Sequence, residues 1–121
     1  MYGVGDNPKV KCTPQPLANA VRVAIGTLEA LAPLHKAGYM HTDIQPKNLL
    51  PLIAPDGVTV TGVAVIDFGA ALKIHSHARD RCWEYSAPEQ WRHKEGAKST
   101  RRTDAFAVAG VLYYLITGQA P

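Results

Sequence analysis

Apolar and polar positions alternate along this chain with a period that changes several times. Leu17, Val21, Ile25, Leu28 and Leu31 recur at spacings of three and four. That spacing predicts an amphipathic helix of about 18 residues, with these side chains facing the core and Arg22 and Glu29 outside that set. Pro33 is expected to kink the helix or finish it in a looser turn, and Gly38 to stop it. From Tyr39 to Asn48 no period survives and polar groups crowd together. Leu49–Ile53 and Val58–Ile66 are β-prone and flank the turn Ala54-Pro55-Asp56-Gly57, which predicts a hairpin. Residues 70–96 read as a long loop with one short helix. Thr103 or Asp104 can cap a helix that runs to Thr117, with Gly118 as its stop.

Residues 1–16 hold Gly3, Gly5, Pro8, Pro14 and Pro16, the composition of a linker. One domain, residues 17–121, is therefore expected after a linker or hinge-like segment over 1–16. The fold class expected is α+β, mainly α, with one short β-hairpin.

Composition narrows the function classes. The chain has 121 residues, a net charge of +3 and 46% hydrophobic residues, which suits one modest globular core. The positive charge is too weak, and too poorly interleaved with aromatics, to indicate a nucleic-acid partner. The run Arg92, His93, Lys94, Lys98, Arg101 and Arg102 reads first as a solvated loop, with a phosphate or acidic contact as the sharper alternative. The longest apolar run, Ala105–Ile116, is too short to span a bilayer, so no membrane segment is expected. No basic n-region or apolar h-region marks the start. Cys12 and Cys82 lack metal or redox spacing and are expected to be inert in a reduced, cytoplasmic setting.

The chemistry concentrates in four motifs in fixed order. His41-Thr42-Asp43-Ile44-Gln45-Pro46-Lys47-Asn48 sets an acid, a proline and an amide in one loop, and Pro46 is expected to hold that loop out of helix. Val65-Ile66-Asp67-Phe68-Gly69 puts a second acid at a strand end before a flexible glycine. Tyr85-Ser86-Ala87-Pro88-Glu89-Gln90 follows, and Asp104 then opens an apolar helix. Each alone has a plain structural explanation: Asp43 as a turn residue, Asp67 as a strand-end turn, Asn48 as a cap. The ordered set is far more specific.

Together these motifs resemble the catalytic loop, DFG motif, APE motif and following helix of eukaryotic-like protein kinases, over residues 17–121. Pro46 and Pro88-Glu89-Gln90 are closer to the Ser/Thr branch than to the tyrosine branch. The resemblance implies a fragment of the kinase C-terminal lobe that uses ATP and Mg²⁺ on a protein substrate. It assigns Asp43 to the substrate hydroxyl, with Gln45 beside it as the second catalytic position. Asn48 and Asp67 become Mg²⁺ ligands, and Leu50 part of the nucleotide shelf with Leu49. His41 and Phe68 would stack, with Gly69 completing that motif. Asp104 would tie the catalytic-loop backbone, and Glu89 would shape the substrate floor.

Departures from the family matter as much. Thr42 stands where the family often has Arg, so switching through a phosphate on Ser76 is not expected. Gln45 stands where Ser/Thr kinases carry Lys, so transfer is expected to be slowed. Arg81-Cys82-Trp83 replaces a Gly-Thr-Pro-like stretch. No GxGxxG loop and no lysine in a V-A-I-K-like strand precede the first helix, so the N-terminal lobe, and the last C-lobe helices, are expected to be absent from this chain. Glu89 would then lack its usual Arg partner, an unpaired buried carboxylate. Little activity from the chain alone is expected, with self-association or a partner on its exposed nucleotide-site face. A pseudokinase-like binding module and a small-molecule phosphotransferase of the aminoglycoside kinase type remain the alternatives.

Overall fold

A computed structural model describes residues 13–121. Helix α1 (Leu17–Lys36) leads into strand β1 (Tyr39–Met40). A single 3-10 turn over Pro46–Asn48 then precedes strands β2 (Leu49–Ile53) and β3 (Val60–Val65), and strand β4 (Leu72–Lys73) follows. Short helix α2 (Pro88–Trp91), a 3-10 turn at His93–Glu95 and helix α3 (Arg101–Thr117) complete the order. The result is a mixed α+β unit with two small two-stranded sheets, in which β2 pairs antiparallel with β3 and β1 with β4.

The β2–β3 hairpin lies where the two β-prone runs and the turn between them predicted it, with Leu49 opposite Val65 and Pro51 opposite Val63. Its turn is held by Asp56, whose carboxylate accepts from the backbone N–H groups of Val58 and Thr59 and from the Thr59 hydroxyl. Those hydrogen bonds, the Thr59 hydroxyl first, pull the Asp56 carboxyl down to about 2. Asn19 of α1 joins the hairpin by donating to the Val58 carbonyl at 2.7 Å and accepting from Val60 N–H at 3.1 Å.

Helix α1 runs the expected course but turns a different face inward. Leu17, Val21, Ile25 and Leu28 are exposed, and of the predicted apolar set only Leu31 is buried. The buried face is Ala20, Val23, Gly26, Thr27 and Leu31. Gly26 explains the choice. A Cβ added there would lie 2.9 Å from Val63 Cγ2 and 3.1 Å from Val63 N, so β3 approaches the helix backbone itself. Periodicity selects the largest side chains, but packing selected the face of small residues that permits this approach. Pro33 does not end the helix, which continues to Lys36. Among the described residues, α1 alone is long and apolar enough to cross a membrane by length and composition. Here it buries Ala20, Val23 and Leu31 in the main core with Val60, Val63, Val111 and Leu115.

Three further expectations are corrected. Helix α3 begins at Arg101, capped by Thr100 rather than by Thr103 or Asp104. Thr100 Oγ1 accepts from Arg102 N–H while Thr103 Oγ1 accepts from Thr100 N–H, a reciprocal box that starts the helix three residues early. Pro46 opens a 3-10 turn rather than keeping the loop out of helical geometry, because its fixed φ suits a first helical position. The β1–β4 pair lies in segments expected to be irregular, since two-residue strands carry no alternation and are defined only by pairing with a distant segment, Tyr39 with Lys73 and Met40 with Leu72. Gly118 does end α3, at φ 78° in the left-handed region. Of the linker expected over 1–16, residues 1–12 lie outside the described residues, and 13–16 carry no helix or strand.

Candidate active site

The loop that follows β1 is fixed from below by Asp104. This fully buried carboxylate accepts from His41 N–H at 2.8 Å and Thr42 N–H at 2.9 Å, and lies 2.7 Å from His35 Nε2. A buried carboxylate without such donors would be strongly unfavourable, so these partners permit its position. The backbone responds: Thr42 adopts φ 71°, in the left-handed region that a β-branched residue rarely enters. Its hydroxyl donates to the Ala70 carbonyl at 2.9 Å, which joins this loop to the segment after Gly69.

The His41 ring is oriented by two backbone groups. Nδ1 accepts from Asp43 N–H at 3.1 Å, so the ring proton sits on Nε2, which donates to the Ile66 carbonyl at 2.9 Å. The Phe68 ring meets His41 edge-on, with centroids 5.1 Å apart.

Asp43 is half-buried, and its carboxylate is clamped by two amides. Gln45 Nε2 donates to Oδ1 at 2.7 Å, and Asn48 Nδ2 donates to the Asp43 backbone carbonyl at 2.8 Å and more weakly to Oδ2 at 3.3 Å. Asn48 is buried at the end of the 3-10 turn, just before β2, and its carbonyl accepts from Ile66 N–H at 2.9 Å, one step past the hairpin register. The hairpin therefore delivers Asn48 and Asp67 to the same end of the sheet. Asp67 is exposed, at φ 60°, and among the described residues its carboxylate has only a 3.4 Å contact, from Gly69 N–H to Oδ1. Because Asn48 spends its nitrogen on Asp43, its amide oxygen is the atom left to offer a cation. Asp67 offers a lightly held carboxylate. Two hard oxygens suit Mg²⁺, which completes its shell with phosphate and water. Among the described residues no group of three or more His, Cys, Asp or Glu could hold a metal by itself. Leu50 is exposed on β2, whereas Leu49 points into the core, so of the predicted apolar shelf only Leu50 is on the surface.

The opposite wall comes from the segment before α3. Gln90, buried and unremarkable in the sequence pattern, bridges three backbone groups. Its Nε2 donates to the carbonyls of Thr42 at 2.9 Å and Arg79 at 3.1 Å, and its Oε1 accepts from Ala87 N–H at 3.0 Å. Nothing in hydrophobic periodicity could single it out; its place after Pro88-Glu89 was the only signal. Glu89 is not the orphaned carboxylate expected. It is half-buried, and Oε2 accepts from the Thr103 hydroxyl at 2.8 Å. At Cys82, burial first and the Glu84 carboxylate second push the thiol up to about 11, so it is protonated at neutral pH and no nucleophile. Cys12 lies outside the described residues.

Comparison with known proteins supplies the family. A family model described as "Protein kinase domain" matches residues 9–121. A probable serine/threonine-protein kinase of Clostridium perfringens is 32% identical over 112 residues, covering 88% of this chain and 15% of that protein. The serine/threonine-protein kinase pkn3 of Myxococcus xanthus is 36% identical over 112 residues, covering 84% of this chain and 19% of the relative. The serine/threonine-protein kinase AfsK of Streptomyces coelicolor is 35% identical over 119 residues, covering 92% of this chain and 14% of the relative. The chain thus spans less than a fifth of the length of these relatives. With the family match running across nearly all of its sequence, this chain belongs to the protein kinase domain family.

Proposed function

We propose that this chain carries the catalytic-loop and metal-binding half of a serine/threonine protein kinase site, for transfer of the ATP γ-phosphoryl group to a protein hydroxyl. The observation that carries this reading is the clamped Asp43 carboxylate, held by Gln45 and Asn48 at the end of the hairpin that also presents Asp67. Asp43 orients the incoming hydroxyl and accepts its proton. The Asn48 amide oxygen and the Asp67 carboxylate hold Mg²⁺, which supplies charge neutralisation at the phosphates when bound. Leu50 offers an apolar contact to the nucleotide base. The protein-kinase names of the relatives favour a protein acceptor over a small-molecule one.

These 121 residues by themselves turn over slowly or not at all. They contain no glycine-rich phosphate loop and no lysine in a V-A-I-K-like strand. Positioning of the reacting groups contributes about 7–11 kcal/mol to such reactions, and much of it is missing when one wall of the nucleotide site is missing. Gln45 also leaves the phosphates without a cation at that position. A second reading, a binding module without turnover, rests on the same Gln45: its 2.7 Å bond occupies one Asp43 oxygen that a substrate hydroxyl would use.

The test measures Mg²⁺–ATP binding and phosphate transfer to a generic protein substrate. Asp67→Asn is expected to weaken Mg²⁺-dependent nucleotide binding at least tenfold, because a carboxylate ligand becomes a neutral amide. Asp43→Ala is expected to leave binding nearly unchanged. Robust turnover by the chain, abolished in Asp43→Ala, would contradict the claim of low activity. Binding that ignores both Mg²⁺ and Asp67→Asn would remove the metal assignment.

A further inference from the structure

Away from the clamped Asp43, a cavity of about 400 Å³ opens between the loop after β4 and the first turn of α3, lined by Ile74, His75, Thr100, Arg101 and Arg102. Its lining holds two guanidinium groups and an imidazole but no carboxylate. The guanidinium groups of Arg101 and Arg102 make no ion pair or hydrogen bond among the described residues. They occupy the first two positions of a 17-residue helix, the end where the macrodipole disfavours cations. The one acid of that first turn, Asp104, is turned away to His35, His41 and Thr42. Both arginines are exposed, so their guanidinium groups are open to an anion that enters the cavity.

The other wall is rigidly placed. His75 N–H donates to the Ser99 carbonyl, and Ser99 N–H donates to the Ser76 carbonyl, each at 2.8 Å. This cross-link ties the loop to the chain entering α3 and holds His75 at φ 75°, a left-handed conformation uncommon outside glycine. The Ser99 hydroxyl, next to Thr100 but outside the cavity's lining, is a fully buried side-chain oxygen with no partner among the described residues. Buried hydroxyls rarely go unpaired.

We propose that this cavity binds a phosphate monoester carried on a peptide side chain. Guanidinium forks match phosphate oxygens in pairs, the helix terminus favours negative charge, and an imidazole adds a further donor. The volume exceeds that of a free phosphate ion, and Ile74 provides an apolar contact for the carbon chain that bears it. The site stands on its own geometry and is independent of phosphoryl transfer at Asp43.

The experiment titrates the full chain against a fluorescent Ala-Ala-phosphoserine-Ala-Ala peptide, its unphosphorylated twin and inorganic phosphate. Arg101→Gln with Arg102→Gln is expected to weaken phosphopeptide binding at least roughly tenfold, as loss of paired charge-assisted hydrogen bonds requires. Lys94→Gln with Lys98→Gln removes the same charge from the neighbouring loop, outside the cavity, and is expected to change affinity less than about twofold. His75→Gly suits the observed φ and so keeps the backbone while deleting the ring; it is expected to weaken binding too, with an unchanged circular-dichroism spectrum. Equal binding of the two peptides would overturn the proposal. So would equal losses in the two double variants, which would mean general attraction to a basic surface. Inorganic phosphate binding as tightly as the phosphopeptide would overturn the assignment to a peptide-borne group.

Discussion

The loop from His41 to Asn48 and the outer face of α1 differ in how completely their groups are satisfied. In the loop, Asp104, Gln45, Asn48 and Gln90 together occupy the backbone and carboxylate groups around Asp43. On α1, Leu17, Val21, Ile25 and Leu28 stand exposed along one side of a 20-residue helix. The comparison teaches that directional bonds and apolar area constrain a structure differently. A buried polar group left without its partner carries a definite penalty at one atom. Exposed apolar area carries a diffuse one, relieved by any surface that covers it.

The comparison breaks most sharply at Asp104. Asp104→Ala removes the acceptor for two loop N–H groups and the partner of His35, and is expected to destabilise the chain by about 3 kcal/mol. Urea unfolding checks it, and a loss below about 1 kcal/mol would show that the loop is not held from α3. Gln90→Leu tests the other clamp. It leaves the carbonyls of Thr42 and Arg79 and the N–H of Ala87 without this partner, for an expected loss of about 2 kcal/mol by the same measurement.

Gly26→Ala probes the packed side of α1 rather than its open side. Its methyl would meet Val63 Cγ2 and backbone, and the strain is expected to outweigh the better helix propensity of Ala, for a net loss of about 1–2 kcal/mol. A gain in stability would mean that the helix can shift away from β3 without penalty. By contrast, Ile25→Ser with Leu28→Ser on the exposed side is expected to change stability by less than about 1 kcal/mol in urea unfolding. A larger loss would mean that this face packs against the rest of the chain.

The smallest effect concerns Asp56, fully exposed in the hairpin turn. Its folded value of about 2 lies below the ordinary 3.8, so its turn-stabilising contribution is present above about 3.8 and is lost as pH falls through about 2. Carboxyl chemical shifts followed by NMR from pH 6 down to pH 1.5 should show Asp56 titrating with a midpoint near 2. A midpoint near 4 would mean that the turn's hydrogen bonds are not maintained in solution.

Much of this arrangement was legible from residue order. The spacing of Asp43, Asn48 and Asp67, the hairpin between them and the stop at Gly118 rest on local chemistry: turn residues, β-prone runs and a glycine where φ must be positive. The family resemblance followed from the order of short motifs, which is itself a property of the chain. What stayed hidden depends on partners far away in sequence. No local pattern shows that Gln90 reaches Thr42, that Thr103 answers Glu89, or that β1 meets β4. The inward face of α1 was hidden for a related reason. Periodicity reports which side chains are largest, but the closest approach between α1 and β3 is set by Gly26 and Val63 together. The sequence by itself determined the course of α1, the β2–β3 hairpin and the stop of α3, because these depend on neighbours within a few residues. Only the tertiary structure decided which face of α1 is buried and which amides clamp Asp43 and its loop. Only it placed Arg101 and Arg102 across a cavity from His75, because contacts between distant segments exist only once the chain has closed upon itself.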